Sequence, residues 1–185
     1  YAKKVVLVTD NLVDNLEKFE IDSKYVDYVV VIDRIGDSNG IVSGTTKITK
    51  DPVGLKIASM TAKLLDELGL IENGVSMQTG AGGTSLAVAS YVRELMIKKN
   101  VKGSFASGGI TSYFVNMASE GLLEKLMDVQ CFDLDAVNSY ANNKFHYGMS
   151  DSKYANPYDE PVVNNLDFVI LGATEIDLNF NVNVT

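Results

Sequence analysis

The chain has 185 residues, 46% of them hydrophobic and 22% charged, and its Lys+Arg 16 against Asp+Glu 24 leave a net charge of −8. That length suits one domain plus part of another, with roughly 70% of the unfolded surface buried on folding. The acidic balance excludes a general nucleic-acid binder, strand-sized apolar runs exclude a membrane span, and a single Cys and a single His exclude a disulfide framework and a thiolate or multi-histidine metal site.

Val5–Thr9 and Val26–Ile32 are short β-branched runs without helical spacing, and they predict strands. Gly36, Asp37, Asn39 and Gly40 form a turn cluster, and Ile41–Thr49 has strand character in a Thr-rich setting. Asp51-Pro52 is a helix start, with a capping carboxylate followed by proline at the first helical position. Leu55, Ala58, Ala62, Leu65 and Leu68 then lie on one stripe, and Gly69 ends the helix. The change of composition near Asp51 is the best domain boundary, dividing the chain into residues 1–50 and 51–185.

Gly74–Gln78 reads as a strand running into Thr79-Gly80-Ala81-Gly82-Gly83-Thr84, and a helix follows with Leu86, Ala89, Val92 and Met96 at helical spacing. Gly103–Ser107 is the next strand, with Gly108-Gly109 as a tight exit. A helix over Thr111–Ser119, a stop at Gly121, a strand over Asp128–Phe132 and a helix from Asp133 to Asn142 come next. The polar stretch from Asn143 to Asn165 predicts a long loop holding at most an edge strand. Leu166–Leu171 predicts a buried strand, and Gly172–Val184 turns and pairs back. The chain begins without Met and stops after an alternating, strand-like stretch, so the expectation is a fragment of a longer polypeptide. Strand, glycine turn and helix alternating in this way predict an α/β fold with a parallel sheet.

Open α/β sheets bind ligands at the carboxyl ends of their strands. Gly80, Gly82 and Gly83 stand at such an end before a helix, where free N–H groups and the helix dipole favour an anion. Gly108-Gly109 repeats the arrangement one unit later. No Lys stands in the first loop, against a nucleotide P-loop, and the third glycine and following carboxylate of a dinucleotide site are missing.

Ser76-Met77-Gln78-Thr79-Gly80-Ala81-Gly82-Gly83-Thr84-Ser85-Leu86-Ala87-Val88 resembles the glycine turn of the citrate lyase alpha-chain family. So do Gly108-Gly109-Ile110-Thr111, Asp128-Val129-Gln130 with Phe132-Asp133, and Glu175-Ile176-Asp177 with Phe180-Asn181-Val182-Asn183-Val184. The resemblance covers essentially the whole chain and implies the three-layer, parallel-sheet fold of CoA-transferases, truncated here. Residues 1–50 would end the first domain and 51–185 would form most of the second. It further implies a cytoplasmic citrate CoA-transferase, an oligomer that works with a lyase beta chain and an acyl-carrier gamma chain. Acetyl-CoA or the carrier's prosthetic group would be its thioester substrate, with no tightly bound cofactor and no metal.

Two-domain CoA-transferases carry a Ser-Glu-Asn-Gly sequence whose Glu forms a covalent thioester. Aligned on the shared glycine, Ser107 stands where that Glu would be. The resemblance therefore implies direct attack of a citrate carboxylate on the thioester, without a protein acyl intermediate. Backbone N–H groups of Gly82, Gly83, Gly108 and Gly109 are the candidate oxyanion donors. Gln78, Thr79, Ser107, Glu175 and Asn183 are candidate substrate contacts, although Ser107 could equally satisfy its turn and Glu175 could pair with a Lys or Arg. Asn181 and Asn183 fit a polar strand face as well as a ligand, and Asp135 and Asn138 fit a helix surface. His146 has no partner in its polar stretch and is read as non-catalytic, while Cys131 is read as core. The alternative reading is a non-catalytic ligand-binding or scaffold domain of the same fold.

Overall fold

A computed structural model describes residues 2–16, 19, 21–40 and 46–184. The chain divides into two units, Tyr1–Ile41 and Val42–Thr185. In the first, the two β-branched runs become β1 (Val6–Thr9) and β2 (Tyr28–Val31), paired in parallel from Val6 with Tyr28 to Thr9 with Val31. The Asp27 carboxylate ties the start of the pair together, accepting from Lys4 Nζ and from the Val5 N–H, each at 2.8 Å.

The second unit opens with α1 (Pro52–Glu67), and the Asp51 side chain accepts the Gly54 N–H at 2.8 Å as the sequence predicts. At its other end Gly69 has φ 74, and the N–H groups of Gly69 and Leu70 reach back to Asp66 and Leu65, which closes the helix as a Schellman turn. Ala58, Ala62 and Leu65 are buried, but Leu68 falls on the cap and is exposed. The expected strand over Ile41–Thr49 lies partly outside the described residues. Residues 46–50 are irregular and cross the start of the next helix, where the Thr49 N–H bonds the Gly83 carbonyl at 3.1 Å.

The remaining elements are β3 (Ser76–Thr79), α2 (Gly83–Lys99), β4 (Gly103–Ile110), α3 (Ser112–Ser119), β5 (Leu123–Cys131), α4 (Leu134–Asn142), β6 (His146–Gly148), α5 (Asp151–Ala155), β7 (Phe168–Ile170), β8 (Glu175–Ile176) and β9 (Val182–Asn183). Five strands form one parallel sheet in the order β6-β5-β4-β3-β7. The register aligns Phe168, Met77, Ala106, Leu126 and His146 across it. Side chains alternate along a strand, so this row shares one face. That face carries the larger core, completed by apolar residues of α1 to α4.

The opposite face presents Phe105, Met127 and Val129. It is covered by Met149, Tyr154 of α5, Val162 of the 3-10 helix Val162–Asn165, and Leu166. The stretch expected to be a long loop therefore supplies an edge strand, a helix and the lid of the second core. β7 is pinned beside β3 by Ser76 and Asp167: the Ser76 N–H donates to Asp167 Oδ2 at 2.7 Å, and the Asp167 N–H donates to Ser76 Oγ at 2.9 Å. Leu166–Leu171 is thus an edge strand rather than a fully buried one, with Val169 exposed. β8 and β9 pair antiparallel in a hairpin of their own. Among the described residues no helix is long and apolar enough to cross a membrane.

Candidate functional site

β3 delivers the chain to Gly80, whose N–H bonds the Ile170 carbonyl at 2.8 Å, and the backbone then turns into α2. Gly82 is the N-cap of α2 and, lacking a side chain, makes no capping bond. The N–H groups of Gly83, Thr84 and Ser85 meet no acceptor among the described residues. Such orphan donors, with the positive end of the helix dipole behind them, are a ready anion site.

The four candidate glycines differ in what occupies the space of their missing Cβ. At Gly82 an added Cβ would meet nothing within 4 Å, and its φ −65 and ψ 150 suit any residue. At Gly83 it would lie 2.9 Å from the Lys47 carbonyl oxygen and 3.0 Å from the Thr49 nitrogen. Gly108 has φ 90, which only glycine adopts freely, and its added Cβ would lie 2.8 Å from the Gln78 amide carbon. At Gly109 an added Cβ would sit 1.8 Å from Phe132 Cε2, inside the ring's space. Three of these glycines are required by the chain's own packing. Gly82 is not, and it stands as the N-cap of the uncapped turn with open space at its Cβ position.

β4 runs through Gly108-Gly109 to Ile110, so the pair is not a strand exit, as the sequence suggests, but a bulge within the strand. The ladder steps from Gly108 opposite Asp128 to Gly109 opposite Gln130, leaving Val129 unpaired. Gln78 lies against this bulge, and its Oε1 accepts the Tyr154 hydroxyl proton at 2.7 Å. Ser107 is 0% exposed and its hydroxyl donates to the Met127 carbonyl at 3.1 Å, an internal bond of the sheet. Thr79 and Thr111, at the ends of β3 and β4, are buried, and among the described residues their hydroxyls have no hydrogen-bond partner. Thr111 is also the N-cap of α3 without making a capping bond. A buried hydroxyl without a protein partner costs free energy, and a polar ligand atom would offset it.

The structure brings Gln78 to Gly108 and sets Thr79 on the strand that feeds the Gly82-Gly83 turn. Glu175 and Asn183 stand apart on the β8–β9 hairpin, where Asn183 Nδ2 donates to Glu175 Oε2 at 3.0 Å. Among the described residues Glu175 is partnered by this amide and not by a Lys or Arg. Asn181 holds Asp177 in the same hairpin through its backbone N–H at 2.9 Å and its side chain at 2.8 Å, and these bonds hold the Asp177 carboxyl below the usual carboxylate range. Asp135 and Asn138 are exposed on α4.

One polar cluster escapes the sequence reading. His146, 4% exposed on β6, has Nε2 3.1 Å from Asp128 Oδ2 and Nδ1 3.0 Å from Ser139 Oγ. Cys131 Sγ donates to the same Asp128 oxygen at 2.9 Å. The order Ser, His, Asp imitates a hydrolase triad, but Ser139 is 3% exposed on the buried side of α4 and cannot meet a substrate. Asp128, Cys131 and His146 also form a possible metal-donor set, with ligand atoms within 4.8 Å of one another, yet each already satisfies a neighbour. A lone His three residues after Asn143 gives no sign of this partnership. The pairing of β6 with β5 makes it.

Residues 1–185 match the family model described as Citrate lyase, alpha subunit (CitF). The chain is 41% identical over 185 residues to the citrate lyase alpha chain of Escherichia coli (strain K12), which covers 99% of this chain and 36% of that one. It is 41% identical over 186 residues to the same chain of Haemophilus influenzae, covering 100% of this chain and 37% of the relative. The chain thus spans little more than a third of the length of these curated relatives. A Streptococcus mutans structure described as an alpha subunit of citrate lyase in complex with citrate superposes with TM-score 0.86 at 45% identity, over 100% of this chain and 37% of that one. The alpha subunit of an Acinetobacter baumannii malonate decarboxylase shares the fold, with TM-score 0.60 at 18% identity over 97% of this chain and 34% of that one.

Proposed function

The chain belongs to the citrate lyase alpha subunit family, and we propose that it is the part of a citrate CoA-transferase that aligns citrate with an acyl thioester. Residues 1–50 end the first transferase domain and residues 51–185 make most of the second. The full subunit exchanges acetate for citrate on CoA or on the prosthetic group of the gamma chain, and hands the citryl thioester to the beta chain in the cytoplasm.

The observation that carries this reading is the first turn of α2, with unpaired N–H groups at Gly83, Thr84 and Ser85 beside an open Gly82. These donors suit a carboxylate or a developing oxyanion. A citrate carboxylate oxygen attacks the acetyl thioester carbonyl, the C–S bond breaks, and the thiolate leaves an acetyl–citryl anhydride. The thiolate then attacks the citryl carbonyl and acetate departs, so no water and no protein acyl group enters. Ser107 at the position of the glutamate of two-domain CoA-transferases supports this route, since its hydroxyl is spent on the Met127 carbonyl. The protein's contribution is alignment, with fixed donors for both tetrahedral oxyanions. One such donor is worth on the order of 10²–10³ in rate.

Full-length protein supplied with acetyl-CoA and citrate is expected to release acetate and form citryl-CoA, followed by mass spectrometry. A folded full-length protein that binds citrate without forming citryl-CoA would favour the scaffold reading instead. Hydroxylamine trapping of an enzyme-bound acyl group would refute direct attack.

A further inference from the structure

We propose that Asp128, locked by His146, is a positioning residue that sets the course of the backbone through Gly108-Gly109. This rests on the transferase reading only in giving those glycines a catalytic use. Where the ladder shifts between Gly108 and Gly109, ordinary strand pairing cannot satisfy every backbone group. Asp128 Oδ1 takes over, accepting the Gln130 N–H at 2.8 Å on its own strand and the Ile110 N–H at 3.3 Å on the neighbouring one. Both bonded amides lie just past the shifted step, so one carboxylate oxygen bridges the strands where the register slips.

The other oxygen fixes the carboxylate plane. Oδ2 accepts from Cys131 Sγ at 2.9 Å and from His146 Nε2 at 3.1 Å. A carboxylate oxygen accepts, so Nε2 is the donor to Asp128, and Nδ1 pairs with the Ser139 hydroxyl at 3.0 Å. Asn143 Nδ2 in turn donates to Ser139 Oγ at 3.1 Å. The chain of donors from Asn143 to Asp128 is closed, and every side chain from Ser139 to Asp128 in it is buried. Asp128 therefore has one rotamer, and with it the bulge has one phase. Gly108, at φ 90 against the Gln78 amide, is the residue whose direction that phase decides.

The test uses the full-length protein with Asp128→Leu, Asp128→Asn, His146→Leu and His146→Gln. Asn keeps an oxygen for Ile110 and Gln130, and Gln keeps a donor for Asp128, so both conservative variants are expected to recover most of what the Leu variants lose. The expected result is at least a tenfold fall in kcat for the Leu variants, with KM for citrate within twofold, because the α2 turn that binds the anion is untouched. Amide hydrogen exchange at Ile110 and Gln130 should rise in parallel. If a Leu variant does not fold, His146→Asn, which can keep the Ser139 contact but is too short to reach Asp128, takes its place, and a kcat equal to that of His146→Gln would overturn the proposal. Equal loss in Leu and conservative variants, or unchanged exchange at Ile110 and Gln130, would overturn the proposal. A wild-type protein without transferase activity would end the transferase reading, and the clamp would then stand or fall on the exchange data alone.

Discussion

Gly82 and Gly109 look alike in sequence, yet the atoms around them make opposite demands. An alanine at Gly109 must drive its methyl into the Phe132 ring, 1.8 Å from Cε2 before any relaxation. Overpacking of that kind costs about 1–3 kcal/mol or more. An alanine at Gly82 meets open space with acceptable backbone angles, and as a poorer N-cap than glycine it should cost no more than about 1 kcal/mol. Gly82→Ala in the full-length protein is therefore expected to melt within a few degrees of wild type and yet lose citrate exchange at least tenfold, because the methyl fills the space before the α2 amides. Gly109→Ala should lower the melting temperature clearly. A Gly82→Ala protein with wild-type turnover would mean that no ligand approaches that turn.

Among the elements, those with local signals are the ones the sequence makes legible. Asp51 and Gly69 bracket α1 because capping and left-handed termination are properties of single residues. Asp133 caps α4 for the same reason, accepting the Ala136 N–H at 2.9 Å. β5 begins at Leu123, five residues before the expected Asp128, because Glu124 and Lys125 break the apolar alternation. β6 is three residues long, too short for any period, and its meaning lies in its neighbour: His146 is buried only because β5 offers Asp128. Of the candidate site, the α2 turn was readable from its glycines, whereas the Asp128 cluster depends on pairing between strands and left no local trace. The β8–β9 hairpin allows a separate test. Asp177 gains hydrogen bonds from Asn181 first and Asn179 second, so its folded pKa is lowered. A depressed carboxyl pKa stabilises the hairpin above the ordinary value and the contribution is lost as pH falls through the folded one. The Asn181 amide resonances should thus hold steady from pH 7 to about 4 and shift only below that. A midpoint at or above the ordinary aspartate value would contradict the hydrogen bonding described.

At the scale of the molecule, the 185 residues present more apolar surface than a finished protein exposes. Every residue of β2 is exposed, as are Val53, Ile57, Met60 and Leu64 along the outer side of α1. Monomeric proteins rarely leave such contiguous faces in water. The curated relatives have nearly two thirds of their length beyond the matched part, which is chain enough to cover these faces and to complete a cleft. Exchange between a bound carboxylate and a thioester depends on holding both reactants in one geometry, and a partly built cleft forfeits that advantage, which can reach about 7–11 kcal/mol. The expected outcome is that the 185-residue chain, checked for folding by circular dichroism, forms no citryl-CoA at concentrations where the full-length protein turns over readily. Citrate should still perturb the amide resonances of Gly83, Thr84 and Ser85, since those donors belong to α2 alone. Turnover by the short chain equal to that of the full-length protein would show that the rest of the transferase contributes nothing to alignment. Silence of the three amides towards citrate would place the anion elsewhere.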